Sequence, residues 1–133
     1  MSRSGYSDDL EPWDLIRWRG AVASAINGKR GQAFLKEMAA ALDEMPEKRL
    51  IDGALEFDGD YCALGVLGKK RGLDMEGVDP EEADVVAELF GIAPALAKEV
   101  VFMNDDDFCW TKETPEQRWL YMRRWVGAQI QEA

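Results

Sequence analysis

The sequence predicts a mainly α protein: a single compact domain of five to six helices with at most a small two-stranded hairpin. Three observations lead there. Apolar residues recur at three- and four-residue spacing over several long segments, as they do when one helix face enters a core. Helix start and stop signals punctuate the chain at matching intervals. Candidate strands are confined to a short stretch around residues 50–57. With 133 residues, 47% of them hydrophobic and ten of them Trp or Phe, one domain can bury one substantial core.

The elements follow in order. Residues 1–10 are polar and small and are expected to form an arm, leaving residues 11–133 as the domain. Pro12 suits a first helical turn, and Leu15, Trp18, Val22, Ala25 and Ile26 make one stripe that stops at Asn27-Gly28. After a basic loop through Gly31, a second stripe of Phe34, Leu35, Met38, Ala41, Leu42 and Met45 runs to Pro46, so the two helices form a hairpin with Trp18 and Phe34 in the core. Leu50-Ile51 and Ala54 to Phe57 are candidate extended pieces, closed by the turn dipeptide Asp58-Gly59. Asp60 is positioned to cap a helix from Cys62 to Arg71 that Gly72 ends. Gly65 and Gly68 inside it each cost about 1 kcal/mol relative to Ala, which implies close backbone packing.

Asp79-Pro80 with Glu82 reads as the start of a helix whose inner face is Ala83, Val86, Ala87 and Phe90, with Gly91 as its stop. Another helix is expected from Pro94 to Met103, then a polar turn over Asn104 to Asp107. Thr114-Pro115-Glu116-Gln117 is a capping box for a last helix with the stripe Trp119, Met122, Val126 and Ile130.

Chemistry is narrowed by what is missing. The chain has no histidine, which removes Ser-His and Cys-His nucleophile pairs, His metal sites and the commonest general base. Cys62 near a helix N-terminus is the best remaining nucleophile, but no base stands beside it in the sequence, so a structural thiol is expected. Asn104 to Asp107 resembles a calcium loop only at its start: the required Gly position holds Trp110, and a ligand position holds Cys109. Gly65 to Lys70 lacks the spacing and hydroxyl of a phosphate loop. The expectation is a protein without enzymatic activity, metal or cofactor. No leader-like segment precedes the domain and no apolar run nears the roughly 20 residues of a membrane span, so a cytoplasmic site with Cys62 and Cys109 reduced is expected.

Charge is the most informative property. The net charge is −10, and between Asp74 and Asp107 there are eleven carboxylates against one base, Lys98. The rest of the chain balances fifteen acids with fifteen bases, and Leu15 to Lys36 holds only bases. Two binding surfaces follow. Asp74, Glu76, Asp79, Glu81, Asp84, Glu88, Asp105, Asp106 and Asp107 form a candidate acidic face for a partner carrying positive charge. Arg17, Arg19, Lys29 and Arg30 are the alternative, a basic hairpin for nucleic acid or nucleotide, where Gly28-Lys29-Arg30-Gly31 meets a helix N-terminus and Trp13 is available to stack a base.

Two blocks carry a resemblance. Trp13-Asp14-Leu15-Ile16-Arg17-Trp18-Arg19-Gly20-Ala21-Val22, continuing to Gly28-Lys29-Arg30-Gly31-Gln32-Ala33-Phe34-Leu35, resembles the opening of small accessory proteins of tailed phages and prophages. Cys62-Ala63-Leu64-Gly65 with the later Asn104-Asp105 resembles a Cys-x-Leu-Gly and Asn-Asp pattern found more widely among phage proteins. The resemblance transfers no catalytic residue. It implies a phage-encoded binding protein that docks on and blocks a host protein or protein–nucleic-acid complex, as anti-CRISPR proteins and DNA mimics do.

Overall fold

A computed structural model describes residues 12–105 and 114–131; among them the chain forms six helices and one hairpin. The helices are α1 Pro12–Asn27, α2 Lys29–Asp43, α3 Ala63–Arg71, α4 Ala83–Phe90, α5 Pro94–Asp105 and α6 Pro115–Gln129. The strands β1 Glu56–Phe57 and β2 Asp60–Tyr61 lie between α2 and α3. The expected arm over residues 1–10 lies outside the described residues, as do the side chains of Trp13 and Leu15.

Helix α2 is the centre of the molecule. Its stripe of Phe34, Leu35, Met38, Ala41 and Leu42 is buried as the spacing requires, and the helix packs against α1, α3 and α6. Phe34 meets Phe90 of α4 edge to face, ring centroids 6.4 Å apart. Val22 and Ile26 bring α1 onto the same core, with Trp18 at its margin under the Lys98 ammonium. The last helix is stitched to α2 by polar contacts. Trp119 Nε1 donates to Leu42 O (3.2 Å), and Gln32 Nε2 donates to Gln129 O (2.9 Å).

Local boundaries differ from the expected ones in four places, each for a visible reason. The loop expected over Asn27 to Gly31 is a single residue, Gly28, and Lys29, Arg30 and Gly31 are the first turn of α2. Gly31 permits this, because a Cβ there would overlap the Ala25 carbonyl. Asp60 does not cap α3. It belongs to β2 and pairs with Arg49 at 3.1 Å, while the cap is Cys62, whose Sγ accepts from Gly65 N. Helix α4 starts at Ala83 rather than Pro80, because Asp79 Oδ1 is engaged by Glu81 N in a tight turn before the helix (2.9 Å). Helix α5 continues through Asn104 to Asp105, past the expected end at Met103.

The Asp58-Gly59 turn, the Thr114–Gln117 capping box and the tight glycines are as the sequence predicts, but the strands are only Glu56–Phe57 and Asp60–Tyr61, and Leu50-Ile51 and Ala54-Leu55 lie outside them. Asp58 and Gly59 both have positive φ, the paired left-handed conformation that suits a two-residue hairpin turn. Both capping-box bonds form at the start of α6. A Cβ on Gly65 would overlap the Leu55 carbonyl, and one on Gly68 would overlap Met75.

One ion pair ties three helices. Arg71 at the end of α3 holds Glu37 of α2 with two bonds, 2.8 and 2.6 Å, and its Nη1 donates to Phe90 O at the end of α4 (2.9 Å). The Arg71 guanidinium hydrogen bonds hold the Glu37 carboxyl below its ordinary range, and Arg123 does the same for Asp43. Carboxyls lowered by folding stabilise fully above the range of a free carboxyl, about pH 4 to 5. The contribution is lost as pH falls through the lowered folded-state values. Thermal unfolding followed from pH 7 to pH 3 should therefore show the midpoint falling on the acid side, and Arg71→Met should flatten part of that fall. An unchanged acid limb in Arg71→Met would show that the clamp does not contribute.

Candidate functional site

The acidic segment divides into an exposed and a buried part. Asp74, Glu76, Asp79, Glu81, Glu82, Asp84 and Glu88 are all exposed, and no base interrupts residues 74–88. Asp84 and Glu88 lie one turn apart on α4. Glu81 precedes the helix in the turn built on Asp79. Val85, 46% exposed, stands among these carboxylates and gives the face an apolar centre. A hollow of about 790 Å³ is lined by residues 53–56 and 73–80.

Asp105 does not belong to this face. It is 4% exposed at the end of α5, where its Oδ2 accepts from Gly53 N (3.2 Å) and its Oδ1 from Asn104 Nδ2 (2.7 Å). The helix outlasts its expected end and carries both residues inward instead of leaving them in a solvated turn. Glu99 of α5 is buried as well. Asp106 and Asp107 lie outside the described residues.

Asn104 and Asp105 form a buried polar hub that the sequence does not advertise. Asn104 Oδ1 accepts from Ala63 N (3.1 Å) at the start of α3, and its Nδ2 also donates to Ile51 O (2.9 Å). Arg118 of α6, itself buried, donates to the Asn104 carbonyl and lies 3.7 Å from Asp52 Oδ2. Cys62, the neighbour of Ala63, has its thiol pushed up to about 12, chiefly by burial, with the Asp105 charge acting in the same direction. That thiol is protonated and structural. The one signal for the hub in the sequence is the pairing of the Cys62-x-Leu64-Gly65 and Asn104-Asp105 motifs. Arg118 gives none, since its position reads as one more surface cation.

The basic hairpin is only partly assembled as a surface. Arg17, Arg19, Lys29 and Arg30 are exposed. Lys29 and Arg30 border a hollow of about 210 Å³ between the first turn of α2 and Ala93 and Leu96. Arg19 lines a different hollow, of about 330 Å³, with the buried Glu99 and Trp125. Lys29 and Arg30 thus stand at one hollow and Arg19 at another, and Arg17 lines neither. Among the described residues no three His, Cys, Asp or Glu side chains gather as a metal ligand set. No helix there is long and apolar enough to cross a membrane.

No protein-family model, curated protein or solved structure matches this chain.

Two measurements test the hub. In a Cys109→Ser background, Cys62 should resist an aromatic disulfide reagent in the native state and react once denaturant is added. Rapid labelling under native conditions would contradict a buried, protonated thiol. Asn104→Ala should lower stability by about 1 to 3 kcal/mol, the cost of leaving the Ala63 N–H and Ile51 carbonyl unpaired. A denaturation midpoint equal to that of the parent would show that water replaces the amide without loss.

Proposed function

We propose that this is a phage-encoded binding protein that uses its exposed acidic face to dock on a positively charged surface of a host macromolecule and block it, in the manner of a defence inhibitor or DNA mimic. One observation carries the reading. Asp74, Glu76, Asp79, Glu82, Asp84 and Glu88 take part in no ion pair among the described residues. By contrast, Glu37, Asp43, Glu44, Glu47, Asp52 and Asp60 each meet an Arg or Lys of the same chain. Like charges crowded within a Debye length of about 8 Å repel one another, and a basic partner relieves that repulsion. Exposed Val85 supports a protein surface as the target, because an apolar anchor amid a polar rim is the usual anatomy of such an interface. The resemblance to phage accessory proteins in the α1–α2 region supports the setting.

The test is charge reversal. A partner captured from host lysate by the wild-type chain should be lost by Glu81→Lys with Asp84→Lys and Glu88→Lys. Folding should persist at a modest cost, since all three side chains are exposed and the main penalty is a Lys at Asp84 in the first turn of α4, about 0.3 to 1 kcal/mol. The association rate with the wild type should fall steeply as salt rises. Lys36→Glu, on the exposed face of α2, should leave capture intact. A triple variant that binds as tightly as the wild type at low and moderate salt would reject the acidic face. Gel shifts that Lys29→Ala with Arg30→Ala abolishes would transfer the function to the basic hairpin and a nucleic acid partner.

A further inference from the structure

We propose that the hollow between the chain just past α2, strand β2 and helix α3 binds a small monocarboxylic acid with an apolar body, its carboxylate held by Lys69 and Tyr61. No residue of the 74–88 stretch lines this hollow, so it is separate from the acidic face. It measures about 370 Å³, within the ordinary range of small-molecule sites, roughly 300 to 1,000 Å³. Helix α2 is over at Asp43, and Lys48 Nζ ties the chain beyond it by donating to the Asp43 and Met45 carbonyls (3.0 and 2.6 Å). Met45 and Pro46 then line the hollow, and Val66 of α3, 9% exposed, and the Tyr61 ring complete its apolar surface. Val66 and Lys69 are three residues apart on α3 and share a face, which sets the ammonium beside the apolar part.

The polar groups select the ligand. Lys69 Nζ donates to Tyr61 Oη (3.0 Å), and that bond, with the Glu56 charge nearby, holds the amine above its ordinary range, so it stays a cation. Lys69 forms no ion pair among the described residues, whereas Lys70 beside it is taken by Glu44 (2.9 Å). An ammonium has three donors, and a phenol both accepts and donates, so Lys69 keeps two N–H groups and Tyr61 keeps its O–H. Among the described residues no acceptor meets any of these. Two donor atoms 3.0 Å apart at an apolar hollow match the two oxygens of one carboxylate. The remaining charges disfavour a dianion. Glu47 and Asp60 line the same hollow and share one guanidinium nitrogen, Arg49 Nη2, at 3.1 Å each. One cation between two carboxylates leaves a negative excess, which repels a phosphate ester more than a single carboxylate. The apolar body of the acid covers Met45, Pro46 and Val66.

The experiment uses the whole chain and para-(trifluoromethyl)phenylacetate, titrated by fluorine NMR line broadening, with the neutral para-(trifluoromethyl)phenylacetamide as its control. Expected is binding of the acid about fivefold tighter than the amide. Lys69→Met should bring the acid down to the level of the amide, and Tyr61→Phe should weaken the acid while keeping the ring. Backbone amide signals of Gly59, Tyr61 and Val66 should move as the acid is added. Equal affinity for acid and amide, or no binding of the acid, would overturn the site, and that comparison needs no variant to fold. An acid affinity unchanged in Lys69→Met would overturn it as well. So would signal changes confined to Lys29, Arg30 and Gly31, which would put the acid at the basic start of α2. The reversal at positions 81, 84 and 88 alters no residue lining this hollow, so that variant should bind the acid as the wild type does, and loss of the captured partner is read separately.

Discussion

The side chain of Asn104 uses both ends of its amide inside the protein, and the layout of the middle of the chain depends on it. Its oxygen takes the N–H of Ala63, fixing where α3 begins. Its nitrogen gives to the Ile51 carbonyl and to Asp105, whose carboxylate in turn holds Gly53 N. Arg118 closes the arrangement from α6. Burying such groups is tolerable only when each finds a partner, so the penalty for a mismatch enforces the meeting of α3, α5, α6 and the 50–53 segment. Apolar packing alone would let these parts slide. The two short motifs at 62–65 and 104–105 are the two sides of this one contact.

Around that fixed point the charges are divided by position. Bases and acids of α2, α3 and α6 find each other: Glu37 with Arg71, Glu44 with Lys70, Asp43 with Arg123. These pairs span helices far apart in sequence and are partly exposed, so they orient the helices more than they stabilise them. Asp74, Glu76, Asp79, Glu82, Asp84 and Glu88 form no ion pair among the described residues. On the proposed reading, docking falls to these carboxylates, and the orientation of the helices falls to Glu37, Asp43 and Glu44.

The helices were legible because their apolar residues keep a strict period and their ends carry standard punctuation. The α2 stripe, the Asp58-Gly59 turn and the Thr114 capping box all rest on interactions within a few residues, which a sequence displays directly. What failed to show were choices between competing partners, some local and some far along the chain. Gly31 reads as loop until the Ala25 carbonyl beside it is known. Asp79 reads as a cap, yet its oxygen reaches Glu81 N first. Asp105 reads as solvated, because nothing nearby in sequence reveals that Gly53 needs an acceptor. For the acidic face the composition gave the residues, whereas Val85 at its centre and the hollow lined by residues 53–56 and 73–80 required the fold.

Arg71 has a consequence for how this protein can change over time. Its guanidinium reaches the Phe90 carbonyl, and the chain between Gly72 and Leu89 leaves and returns at that one side chain. Left-handed glycines stand at both ends, Gly72 just inside the excursion and Gly91 just beyond it. A stretch whose ends are fastened together imposes little on the remainder, because closing a somewhat longer or shorter connection costs little more, about 0.6 kcal/mol for each doubling of length. The acidic stretch is thus built as a replaceable cassette, although Val86, Ala87 and Phe90 must still meet the core. Substitution, lengthening or exchange of its outer residues can proceed while α2, α3 and α6 stay as they are.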